Sequence, residues 1–144
     1  MANLSCIPKF VKKEIVDIWV AEGLWRLMLL DSTHIPNPAT QQFITDVSAK
    51  EIAPSGDYAA GGVVITGRVS KADPDNLNNY FLDFDDVIIG GNATLNYRYG
   101  VLYKSEVLAA TAKIRATIDF LDQQIVNNGT STIKWNTLGI IYIS

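Results

Sequence analysis

The chain has 144 residues, 48% of them hydrophobic, with a formal net charge of −3 at pH 7. That length fits one domain with a sizeable core. The slightly acidic balance, without any run of Lys or Arg, argues against a nucleic-acid surface, and no apolar run is long enough to cross a bilayer as a helix.

The start, MANLSCIPKFVKKE, lacks the apolar stretch and cleavage site of a signal peptide. The single cysteine, Cys6, permits no intrachain disulfide and fits folding in a reducing compartment. The spacing then predicts a helix over Pro8–Ala21. Ser5 is placed to cap it, Pro8 suits an early helical position and Gly23 ends it. Ile7, Val11, Ile15 and Ile18 recur at helical spacing beside Trp19, while Lys9, Lys12, Lys13, Glu14 and Asp17 fall largely on the other, solvated face. Phe10, Val11, Ile15, Ile18 and Trp19 form the candidate interface, expected to dock on the domain or on a neighbouring subunit.

Trp25–Leu30 is a compact apolar stretch that reads as a strand buried on both faces. Asp31–Thr40 is a Pro-containing loop, and Gln41–Val47 reads as a short helix under it. APSGDYAAGG is a turn region, and Val63–Lys71 returns to alternation. After the turn ADPDNLNN, Tyr80–Phe84 reads as a strand, and Asp85–Ile89 as an extended connection or a further strand. Gly90-Gly91 reads as a tight turn into a long strand in which Ala93, Leu95, Tyr97, Tyr99, Val101 and Tyr103 share one face. Ile114, Ala116, Ile118 and Phe120 repeat the pattern with Arg115, Thr117 and Asp119 between them. Asn127-Asn128-Gly129 carries hairpin chemistry and is expected to join Gln124–Val126 to Thr130–Trp135. A last strand covers Ile140–Ile143. The expected fold is mainly β: an antiparallel, jelly-roll-like β-sandwich with an N-terminal α-helix and one short additional helix. Residues 1–23 would form an arm and helix, and residues 24–144 the sandwich, within a single globular domain.

Reactive chemistry is sparse. His34 is the sole histidine, lies in a loop and has no nucleophile elbow beside it. A His/Cys zinc site fails by counting ligands. The carboxylates Asp73, Asp75, Asp83, Asp85 and Asp86 do not make an EF-hand, because Leu77 takes a ligand position and Asn78 replaces the glycine; a looser calcium loop stays as an alternative. Tyr97, Tyr99, Tyr103, Trp135 and Tyr142 read as core or interface aromatics, with a sugar-stacking platform as the alternative. No catalytic, cofactor-binding or metal-ligating residue is assigned, and no cofactor is expected.

The order of motifs carries more. Leu24–Leu30 ends in Asp31-Ser32-Thr33; Asp46-Val47-Ser48 and Glu51-Ile52 precede Gly56-Asp57-Tyr58-Ala59-Ala60-Gly61-Gly62; NATLNYRYGVLY and Ile118-Asp119-Phe120 follow; Asn128-Gly129-Thr130, Ile133-Lys134-Trp135-Asn136 and Gly139-Ile140 close the series. Over residues 24–143 this resembles a group of small structural proteins of tailed bacteriophages and prophages. Two departures stand out. The group's Asp-Phe-Gly is Asp119-Phe120-Leu121 here, and Gly90-Gly91-Asn92 stands where the group often has a Trp. The resemblance implies a non-enzymatic virion protein made in the host bacterial cytoplasm, most often a head decoration or cement subunit. A neck, collar or tail component is the alternative. Implied partners are further copies of the chain and virion proteins such as the major capsid protein, without nucleic acid or membrane. A carbohydrate- or calcium-dependent binding module is the rival of a different class, and a hydrolase ranks below it for want of an acid–base set.

Overall fold

A computed structural model describes residues 8–136 and 141–143. It contains one helix, α1 (Lys9–Ala21), and seven strands: β1 (Trp25–Leu30), β2 (Val63–Ile65), β3 (Val69–Ala72), β4 (Tyr80–Asp83), β5 (Val87–Lys104), β6 (Ile114–Ile133) and β7 (Ile141–Ile143). The protein is mainly β and its strands pair antiparallel, as expected. The strands form two sheets, of order β2-β1-β5-β6 and β3-β4-β7. The chain divides into two compact units: Gly23–Ile65 with Val87–Ile133, and the helix with Thr66–Asp86 and the C-terminal strand. The larger unit thus begins where the helical arm was expected to end, and α1 belongs with β3, β4 and β7.

In the larger unit β1 is one of the two inner strands and is buried on both faces, as its apolar run predicts. The period-two reading of β5 holds over Ala93–Tyr99; Ala93, Leu95, Tyr97, Tyr99, Val101 and Tyr103 are all buried, but from Tyr99 to Tyr103 Gly100 and Leu102 are buried too, so both faces of the strand are covered there. One face of the sheet sets Met28, Leu30, Tyr99, Val101 and Tyr103 against Ile44, Val47 and Ala112. The expected helix over Gln41–Val47 is instead a pair of 3₁₀ turns, Ile44–Asp46 and Ser48–Lys50, with a third at Ala109–Thr111. Asp46 explains the tighter winding. Its carboxylate accepts the N–H groups of Gln42 and Phe43 (3.0 and 2.9 Å), closing a short turn rather than opening a long helix.

Two expected turns are bulges. β5 and β6 run 18 and 20 residues and pair along almost their whole length, from Val87↔Ile133 to Tyr103↔Ile114. Gly90-Gly91 and Asn127-Asn128-Gly129 lie inside these strands, where the register shifts between Ile89 and Leu95. Asn92 and Asn128 take positive φ (56° and 49°), the conformation that suits a tight hairpin but here absorbs an extra residue. Long β5 offers partners to both halves of β6, which a local hairpin would have sacrificed. A third irregularity falls between Tyr97 and Tyr99. There Leu121 takes φ 69°, the position at which the resemblance expects glycine.

β6 ends the sheet among the described residues. Ile114, Ala116, Ile118 and Phe120 are therefore only half-buried, not the core face their alternation suggests.

In the smaller unit α1 lies on β3 and β4. Arg68 donates to the carbonyl oxygens of Val20 (3.1 Å) and Glu22, capping the C-terminal end of the helix. Ser70 Oγ donates to Asp17 (3.2 Å). Lys12, expected on the solvated face, is buried and donates to Asn79 Oδ1 at 3.0 Å. Val63–Lys71 does not continue as one strand: the chain breaks at Gly67 between β2 and β3, which join different sheets. Ser5, Cys6, Ile7 and the Gly139-Ile140 motif lie outside the described residues.

Candidate interaction surface

The motif Glu51…Gly56-Asp57-Tyr58…Gly61-Gly62 folds into a polar clasp on β1. Leu29 donates its N–H to the Tyr58 hydroxyl (2.9 Å), and that hydroxyl donates to Glu51 Oε1 (2.9 Å). The same carboxylate oxygen accepts the Gly61 N–H at 2.7 Å, and the Tyr103 hydroxyl donates to the Gly61 carbonyl. Burial pushes the Tyr58 phenol well above its usual range, so it serves as a neutral hydrogen-bonding post. Gly56 sits so close to β5 that a Cβ would come within 2.4 Å of the Gly90 carbonyl oxygen, while Asp57 donates its N–H to that same oxygen (3.0 Å). The group that looked most like a motif is thus committed to holding β1 and β5.

The remaining candidates for chemistry are dispersed. His34 is buried with its ring edge-on to Tyr99, centroids 5.3 Å apart. Burial lowers its pKa, outweighing the nearby Asp31 carboxylate, so the imidazole is held neutral. Asp73 accepts from the Asp75 N–H (2.9 Å) within its own turn, Asp83 pairs with Lys71 (2.7 Å), and Asp85 accepts from Thr66 (2.9 Å). Among the described residues no group of three or more His, Cys, Asp or Glu could hold a metal ion. Tyr97, Tyr99 and Tyr103 are buried, with the Tyr97 hydroxyl bonded to Ser131 (2.8 Å), so they are core and offer no sugar a stacking face. Trp135 donates its indole N–H to the Asp85 carbonyl oxygen (2.8 Å).

Several large apolar side chains also face outward. Of the five residues of the helical stripe, Ile15 and Trp19 are half-buried beside the fully buried Val16, and Phe10, Val11 and Ile18 are 70%, 39% and 63% exposed. At 100° per residue Phe10, Ile18 and Val11 span about 100° of the helix and Ile15 follows about 40° on, so one apolar band runs from the buried side out into solvent, with Glu14 between Phe10 and Ile18.

A second outward feature escaped the reading of the sequence. Leu121 is 76% exposed on edge strand β6, and an open groove of about 400 Å³ borders that edge between Pro38–Phe43 and Lys113–Thr117. No motif in the sequence marks it, because a sheet edge is set by topology. In comparisons with protein-family models, curated proteins and solved structures, nothing matches the chain.

Proposed function

We propose that the protein is a non-enzymatic structural subunit of a tailed-phage virion, a decoration subunit that stabilises the head by bridging neighbouring shell subunits. The observation that carries this reading is the exposed part of the apolar band of α1. The helix has buried Val16, yet Phe10, Val11 and Ile18 stand in solvent. Such exposed apolar side chains favour association, because each Å² of apolar surface removed from water contributes roughly 25 cal/mol. The order of motifs, which resembles that of phage structural proteins, suggests the class of partner. The Glu51–Tyr58 clasp adds support: a segment that carries part of the resemblance stiffens a β framework, which a subunit loaded by a strained shell needs.

The test is co-sedimentation of the purified protein with heads assembled without it. Binding is expected, with loss on Phe10→Asp combined with Ile18→Asp while circular dichroism stays unchanged. No binding by the unsubstituted protein refutes the decoration role, and capture by isolated necks or tails would move the same contact role to that part of the particle.

A further inference from the structure

We propose that His34 is an acid-sensitive latch: uptake of one proton drives its ring out of the core and releases the loop Ile35–Gln41, while the sheet beneath stays folded. This stands apart from the virion reading. It rests on burial, on an unmet nitrogen and on how the loop is tied down.

The loop that follows β1, Asp31–Phe43, has one buried residue, and it is His34. On the near side the Asp31 carboxylate accepts the Thr33 N–H (2.8 Å), and the Lys50 ammonium donates to the Thr33 hydroxyl (3.0 Å). On the far side the Gln42 carbonyl accepts from Ile114 (2.9 Å). Between these points the hydrogen bonds close within the segment. Thr40 and Gln41 donate to the Asn37 carbonyl, Asn37 donates to Gln41 Oε1, and the Gln41 side-chain amide donates to the Ile35 carbonyl. The segment is a knot that keeps its own shape, and the His34 ring pins it to the core.

The pin holds only while the imidazole is neutral. The ring lies edge-on to Tyr99 of β5 and is 3% exposed. Its Nε2 is enclosed and meets no hydrogen-bond partner among the described residues. A neutral ring keeps one nitrogen without a proton, whereas an imidazolium donates from both. Protonation therefore puts an N–H and a charge where nothing receives them. The surrounding charges do not compensate. Asp31 favours the imidazolium, but Thr33 already occupies its carboxylate. Lys50 opposes it, and a second cation, Arg98, lies over the Tyr99 ring at 5.2 Å. Leaving the core returns the charged ring to water and gives up the contacts of a single side chain, so local opening precedes any loss of the sheet. Release also moves Pro38 and Gln41, which line one wall of the 400 Å³ groove.

His34 is the sole histidine, so its ring gives one distinct proton NMR signal. Titration of the full chain from pH 8 to pH 5 should shift that signal with a midpoint below 6.5. At the same midpoint the Tyr99 ring and the amides between Ile35 and Gln41 should move. Exchange protection of the His34 amide, with the intrinsic pH dependence divided out, should fall by up to tenfold per pH unit below 6.5, while Val101 in β5 keeps its protection. His34→Phe retains an aromatic ring against Tyr99 and removes the proton acceptor, so its loop should stay closed at pH 5. A ring that titrates with Tyr99 and the loop unmoved, loss of protection at Val101 in the same step, or acid opening that persists in His34→Phe overturns the proposal. If that variant fails to fold, the titration of the unsubstituted protein decides.

Discussion

Gly62 lies directly on Leu27: a Cβ at Gly62 would come within 2.1 Å of the Leu27 carbonyl oxygen, and Gly62 has φ 92°. Both facts demand glycine, one by close approach and the other by conformation. Gly62→Ala should therefore destabilise the protein by about 3 kcal/mol, through displacement of β1. Chemical denaturation would show it as a lower midpoint with an unchanged slope.

The Tyr58 hydroxyl is both acceptor for Leu29 and donor to Glu51. Tyr58→Phe removes both bonds and leaves the Leu29 N–H buried without an acceptor. The expected loss is about 2 kcal/mol, larger than for a hydrogen bond exposed to water. Glu51→Gln should cost less, because an amide oxygen still accepts from Gly61.

Leu121 occupies a backbone region that disfavours side chains, by roughly 1–2 kcal/mol for a residue with a Cβ. Leu121→Gly should raise stability by about 1 kcal/mol. A higher midpoint in chemical denaturation, with an unchanged slope, would show that the strain at φ 69° is relieved.

His34 gives a pH signature. Burial holds its pKa below the ordinary value of 6.5, so the unfolded chain takes up the proton more readily than the folded one. Its contribution is complete above pH 6.5 and is lost as pH falls below that value. Asp17, Asp31 and Asp119 have lowered pKa values and act in a more acidic range, beginning below their ordinary value of 3.8. A fall in melting temperature between neutral pH and pH 5 that disappears in His34→Gln would confirm the assignment.

The legible parts of the fold were those where side-chain period alone decides. The six odd positions from Ala93 to Tyr103 are buried because a paired strand with a covered face leaves them nowhere else to go. Asn127-Asn128-Gly129 misled because positive φ serves hairpins and bulges equally, and only the presence of a long β5 decides between them. The alternation at Ile114–Phe120 gave the strand and missed its position at the sheet edge, which is a property of topology. Helical spacing found the apolar residues of α1 but put Lys12 on the solvated face, since its burial depends on Asn79, 67 residues away in sequence. The Glu51–Tyr58 clasp was visible only as a motif, because its partners Leu29 and Tyr103 contribute a backbone N–H and a distant hydroxyl.

The central claim is that this chain works through contact area on a phage particle, and a three-dimensional map of the intact virion tests it most directly. The account predicts density for the subunit at junctions between shell proteins, with Phe10, Val11 and Ile18 against the shell. Absence of the protein from the purified particle, or a position there with that helical face turned to solvent, would contradict it.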